Sequence, residues 1–166
     1  MRLLIGSPAF HDGGELPVEH TADGDDRSPA LEWRGVPASA KSLALLVEDP
    51  DAPDPAAPKL TFCHWILVDL PTGSTGLPAG VGPAALPPGT HPGRNACGRT
   101  HWDGPAPPIG RHRYVFRLFA LDTTLPSLRT PTRAELLAAI DGHVIEEARV
   151  TGTYARPARA GSRHGG

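Results

Sequence analysis

Proline and glycine interrupt this chain so often that no long helix can run through it: 20 prolines and 19 glycines fall among 166 residues. Proline removes a backbone donor and clashes with the preceding helical turn, and glycine costs backbone entropy in any regular element. Short strands joined by many turns fit between the interruptions. Apolar runs of strand length recur along the chain, which separates it from a disordered sequence of similar composition. The length suits one domain with a sizeable core. Residues 1–155 are expected to form it, and residues 156–166, small, polar and unpatterned, to be a disordered tail.

The runs can be read in order. Leu3 to Phe10 reads as a first strand, closed by a His11-Asp12-Gly13-Gly14 turn. Thr21 to Ser28 is polar and holds Asp23, Asp25 and Asp26. It lacks the spacing and closing Glu of a calcium loop, so a solvated loop is expected. Leu31 and Trp33 alternate with Glu32, the period of a half-buried strand. Ser42 to Glu48 is continuously apolar, as in a strand covered on both faces. It delivers Asp49-Pro50-Asp51-Ala52-Pro53, read as a rigid turn at the strand's end. Phe62 to Val68 is the next strand, and His112 to Ala120 the clearest one, with Tyr114, Phe116 and Leu118 on one face. Gly76 to Gly98 has no period and is long enough to be a functional loop.

One helix is well signalled. Thr132 and Glu135 form a Thr-x-x-Glu capping box, and Leu136, Leu137, Ile140 and Val144 give a helical stripe with Gly142 as a break or kink within it. Ala148 to Tyr154 reads as the last strand. The sum is a mostly β, antiparallel domain with one or two short helices, built as two packed sheets or as a barrel.

Several function classes drop out. A net charge of −2 and a pI near 6.4 give no nucleic-acid footprint. No apolar run approaches a membrane span, and the N-terminal run is too short for a signal peptide, so a cytoplasmic location is expected. Cys63 and Cys97 form no Cys-x-x-Cys pair and are expected to be free thiols. Neither a metal nor a cofactor is called for.

Three strand ends carry side chains suited to one pocket: Asp49 and Asp51, His64, and the pair His112 and Tyr114, with the stiff Gly104–Gly110 loop between them. Imidazole, phenol and loop amides would suit a phosphate; the carboxylates would suit an ammonium or orient a histidine. There is no Gly-x-Ser-x-Gly elbow, and Cys63 and His64, adjacent in one strand, point to opposite faces. His64 and Tyr114 could equally be satisfied core residues, and His112 a solvated strand start. His11, His20, His91 and His164 are expected to be exposed.

Two motifs occur together here. One is Asp49-Pro50-Asp51-Ala52-Pro53 followed by Cys63-His64-Trp65-Ile66-Leu67-Val68; the other is Gly104-Pro105-Ala106-Pro107-Pro108-Ile109-Gly110 leading to His112-Arg113-Tyr114-Val115-Phe116. Together they resemble the signature regions of the phosphatidylethanolamine-binding protein family, in its bacterial and archaeal Raf-kinase-inhibitor-like branch. Ser28 to Trp33, Gly93-Arg94-Asn95 and the ending Gly142 to Tyr154 support the resemblance, which spans about residues 3–156.

The resemblance implies a β-sandwich of two antiparallel sheets and a pocket for phosphate, phosphorylated head groups or acetate. It implies ligand contacts from Asp49, His64, Pro107, His112 and Tyr114, with Asp51 and Ala106 beside them, and a cis peptide at Ala52-Pro53. Ala106 stands where the family often has Gly or Cys, and Trp102 where Tyr is common, which changes the rim. The expected function is therefore binding of a small anionic or phosphorylated ligand, with a regulatory role, by a protein that is not an enzyme. The alternatives are inhibition of a protein kinase or protease by direct contact and, last, weak hydrolysis with His64 as base oriented by Asp49. A homodimer is suggested by the resemblance alone.

Overall fold

The computed structural model describes residues 2–157; the expected tail is outside the described residues from 158 onward. The chain folds as two antiparallel sheets with one short α-helix among the described residues. The strands are β1 (Leu4–Gly6), β2 (Leu31–Arg34), β3 (Ser42–Ala52), β4 (Leu60–Leu70), β5 (Gly76–Leu77), β6 (His91–Pro92), β7 (His112–Leu121) and β8 (Val144–Tyr154). The helix, α1, is Arg133–Ile140. A small sheet has the order β1-β2-β5 and a large one β6-β4-β3-β7-β8. No helix among the described residues is long and apolar enough to cross a membrane.

The continuous apolar run of β3 is explained by two cores. Leu43, Leu45 and Val47 face the small sheet and pack with Leu31, Trp33 and Phe116. Ala44 and Leu46 face the other way, toward Leu136 and Ile140 of α1. Side chains alternate across a strand, so a strand buried on both faces shows no polar alternation.

Three expectations change. The helix ends at Ile140, and Val144 opens β8 instead of closing a helical stripe. Gly142, at φ +83°, takes the left-handed conformation that turns the chain, and the β-branched Val144-Ile145 pair then favours extension. The Gly76–Gly98 stretch is not one loop, because β5, a 3₁₀ turn at Pro83–Ala85 and β6 tie it to both sheets. The Asp49–Ala52 stretch remains part of β3, and the register with β4 shifts between Asp49 and Ala52. An irregular ladder of this kind tolerates Pro50, which has no N–H to give.

The capping box forms. Thr132 Oγ1 accepts the Glu135 N–H and the Glu135 carboxylate accepts the Thr132 N–H. Thr132→Ala should cost about 1 kcal/mol in urea-melt stability, because one helical N–H loses its partner.

Candidate ligand-binding site

The large sheet sets three adjacent strands side by side: β4 with His64, β3 with Asp49, and β7 with His112 and Tyr114. These four side chains line a cavity of about 450 Å³, within the usual range for small-ligand sites. Ala52, Pro53, Leu60, Phe62, Pro107 and Pro108 give it apolar walls, and Leu60 stays exposed.

Asp49 and His112 form a buried pair. The His112 Nδ1 lies 2.5 Å from Asp49 Oδ2, and its Nε2 lies 2.8 Å from the Ile109 carbonyl. Both partners are acceptors. The ring must therefore donate from both nitrogens to a carboxylate and a carbonyl, or receive the acid's proton on Nδ1. In either form the pair holds one shared proton and sums to zero charge. Asp49 also accepts the Asp51 N–H at 2.7 Å.

His64 is held differently from the expected Asp49 contact. Its Nδ1 donates to the Asp103 carbonyl at 2.6 Å, which leaves Nε2 as the bare nitrogen of the neutral ring. Burial pushes the imidazole below its ordinary value; the Asp103 carbonyl and the charges of Asp49, Asp103 and Asp26 pull the other way without overcoming it. Tyr114 packs edge-on against His64, with ring centroids 5.3 Å apart. Its hydroxyl is fully buried and has no hydrogen-bond partner among the described residues. Burial, followed by the charges of Asp49 and Asp51, drives its ionisation far up, so it remains a neutral donor. A buried donor without a partner is costly, and the residue that carries this one lines the cavity.

The sequence places Asp51 in the ligand-contact set, but it does not line the cavity. Both of its oxygens engage Arg113, through the backbone N–H at 2.8 Å, Nε at 3.0 Å and Nη2 at 2.8 Å. The guanidinium hydrogen bond holds its carboxyl below the usual range despite partial burial. Asp51 therefore anchors the start of β7. Ala106 and Pro107 do line the cavity.

Asp26, Arg99 and Asp103, to which sequence reasoning assigned no site role, also line the cavity. Asp26, at φ +56°, accepts the Gly104 N–H at 2.7 Å. Gly104 is required there, since a Cβ would sit 2.3 Å from that Asp26 oxygen. The expected solvated loop is thus a wall of the site. Asp103 receives Asn95 Nδ2 at 2.7 Å and Arg99 through Nε and Nη2; these contacts hold its carboxyl below the usual range against burial. Asn95 also takes the N–H groups of Cys97 and Arg99 on its own oxygen. Asp26 and Gly104 are 78 residues apart, and no local signal marks that pairing.

His20, expected at the surface, is 3% exposed, and its Nδ1 donates to the Arg27 carbonyl. That contact closes the loop that carries Asp26. His91 is half-buried against the Leu128 carbonyl, and His164 lies outside the described residues. Of the residues 104–108, three are prolines without an N–H and Gly104 is engaged, so of these five only Ala106 keeps an N–H without a partner among the described residues. The Gly76–Gly98 stretch touches the cavity only at Cys97. Ala52-Pro53, at the cavity wall, is cis. Cys63 faces the helix side, and burial pushes its thiol up to about 12.

The model of the phosphatidylethanolamine-binding protein family matches residues 6–155, nearly the whole β domain and every residue of the cavity. The chain belongs to this family. A UPF0098 protein of Methanothermobacter thermautotrophicus is 45% identical over 149 residues, covering 89% of this chain and 95% of that one. A UPF0098 protein of Chlamydia pneumoniae is 42% identical over 154 residues, covering 93% and 98%. Among solved structures, the family homologue CT736 of Chlamydia trachomatis superposes with a TM-score of 0.85 at 35% identity, over 94% of this chain and 99% of that one. E. coli YbcL, described as a member of the mammalian family, gives 0.84 at 31% identity, over 95% and 100%. The sandwich is therefore the family fold, and a binding protein of the family's type is the coarse function. The family homologues also confirm two packed sheets over the barrel that the strand pattern left open.

Proposed function

We propose that this family member binds a small ligand through an anionic group, a phosphate or phosphorylated head group, and does not turn it over. The observation that carries the reading is the buried, unpartnered Tyr114 hydroxyl beside the cavity-facing side of His64. The Tyr114 hydroxyl and the Ala106 amide are donors, and His64 joins them once an anion draws a proton onto its bare Nε2, in an otherwise mostly apolar cavity. A negative wall would oppose an anion, but Asp49 is neutralised within its pair with His112, and Asp103 is paired with Arg99. Among the described residues Asp26 has only the Gly104 amide and can receive an ammonium, so phosphoethanolamine should bind more tightly than phosphate.

Isothermal titration with both ligands tests the reading. Tyr114→Phe should weaken phosphate by at least about tenfold, ~1.5 kcal/mol, because one hydrogen bond to a charged group is lost. Asp26→Asn should narrow the gap between the two ligands. No heat with the wild-type protein, or the same affinity in Tyr114→Phe, would sink it.

A second reading, contact with a protein partner such as a kinase or protease, or with a second copy of this chain, is favoured by Leu60 and Ile109. These stand 51% and 53% exposed beside the cavity. Ile109→Ser, outside the cavity lining, should leave phosphate binding intact and abolish inhibition or self-association, read by enzyme assay and sedimentation. We place both activities in the cytoplasm, where Cys63 and Cys97 would form no structural disulfide.

A further inference from the structure

Cys97 is an exposed thiol that lines the cavity at its mouth. It is fixed there. Its N–H donates to Asn95 Oδ1, and the same side chain reaches the carbonyls of His64 and His101 and the Asp103 carboxylate. One asparagine therefore sets the thiol and the His64 strand relative to each other. Arg99, two residues on, lines the same mouth, and its Nη1 is not among the groups that hold Asp103. An independent observation points to a ligand in this space: Tyr114, 1% exposed, lines the same cavity, and its buried hydroxyl has no partner among the described residues.

We propose that Cys97 is a thiol-modification site addressed through the cavity: a low-molecular-weight disulfide bearing a carboxylate docks its anion on His64 and Tyr114, and Cys97 exchanges with it to form a mixed disulfide. The docking step rests on the anion-binding reading above. In the exchange the Cys97 thiol loses its proton to solvent and its sulfur attacks one sulfur of R–S–S–R. A Cys97–S–S–R bond forms, the R–S–S–R bond breaks, and R–S⁻ leaves and takes up a proton. The Cys97 sulfur is oxidised and the leaving sulfur reduced, so the disulfide is the oxidant and no other is needed. The adduct fills the mouth and blocks the anion site until a thiol reductant removes it. Cys63, buried on the helix side of the sheet, takes no part.

The test compares an acidic disulfide, 5,5′-dithiobis(2-nitrobenzoate), with the neutral 2,2′-dithiodipyridine on the full chain. Each rate is normalised to that of mercaptoethanol, and the adduct is mapped by mass spectrometry. The acidic reagent should show saturating kinetics and a normalised rate about tenfold above the neutral one. Phosphate at about ten times its dissociation constant should slow it about tenfold, since only the unoccupied protein reacts. Tyr114→Phe and His64→Gln should weaken the saturation, and Cys97→Ser should take no label while folded.

Equal normalised rates that rise linearly with reagent would overturn the proposal. So would an acidic preference unchanged in Tyr114→Phe and His64→Gln, which would assign the attraction to Arg99 alone. If titration shows phosphate bound while labelling is indifferent to it, the thiol proposal falls and the anion site stands. If phosphate does not bind, the anion reading falls and takes the docking step with it.

Discussion

Asp49→Ala should destabilise the protein by about 3–5 kcal/mol, the largest single-residue loss expected at the site. The substitution removes the hydrogen-bond partner of His112 Nδ1 and the acceptor of the Asp51 N–H, both buried. It leaves a ring that is 1% exposed with one partner, the Ile109 carbonyl. Breaking one side of a buried ion pair costs more than the pair contributes, because the remaining group keeps its desolvation penalty. Asp49→Leu/His112→Leu should therefore recover much of the loss. Urea melts of both singles and the double close the cycle, with a coupling of a few kcal/mol expected for residues in direct contact. Additive losses would show that the two side chains act independently and that the shared proton has no structural role. Asp51→Asn should cost less, because Arg113 is mostly exposed on its far side and water can replace it.

The second large effect is on binding. Sulfate, which does not titrate near neutrality, should bind more tightly as the pH falls from about 8 to about 6, approaching tenfold per pH unit once one proton is taken up per anion. Burial depresses His64 below its ordinary value, which favours the neutral ring in the empty site. An anion at Nε2 favours the imidazolium, so binding and protonation reinforce one another. The groups facing the ring are Asp49 from β3, His112 and Tyr114 from β7, and Asp26 and Asp103 from the loops, with Arg99 at the mouth. His64→Gln keeps a neutral donor and should flatten the profile; His64→Ala should lose about a hundredfold, since a charge-assisted hydrogen bond is removed.

The same depression has an opposite consequence for the empty protein. Between the folded and unfolded values the unfolded chain binds more protons, so stability rises with pH there. The contribution is complete above about pH 6.5 and is lost as the pH falls toward the depressed folded value, with a slope of at most ~1.4 kcal/mol per pH unit. Acid melts of wild type against His64→Gln would show it, and sulfate should offset it. An identical acid limb in both proteins would contradict the assignment.

Much of the fold was legible in the residues. Gly and Pro density ruled out long helices, the two-sided burial of β3 showed in its unbroken apolar run, and Thr132 and Glu135 marked the helix start to the residue. These are signals of short range, set by backbone sterics, side-chain alternation and hydrogen bonds three residues apart, so the sequence carries them directly. The two motifs likewise pointed to His64, Asp49, Ala106, Pro107, His112 and Tyr114, which the folded chain gathers at one cavity.

Which group serves which was decided only by the tertiary structure. Asp49 was the better sequence candidate to face the ligand and Asp51 to hold the backbone, but their partners, His112 and Arg113, lie 63 and 62 residues away and no local pattern names them. His64 is held by a backbone carbonyl and not by Asp49. The acidic loop that looked solvated supplies Asp26 to Gly104, and Asn95 ties the thiol loop to the strand of His64. Each of these contacts joins residues that local patterning treats independently. Their strength comes from burial and sheet register, which exist only once the two sheets have closed and water has left the space between them.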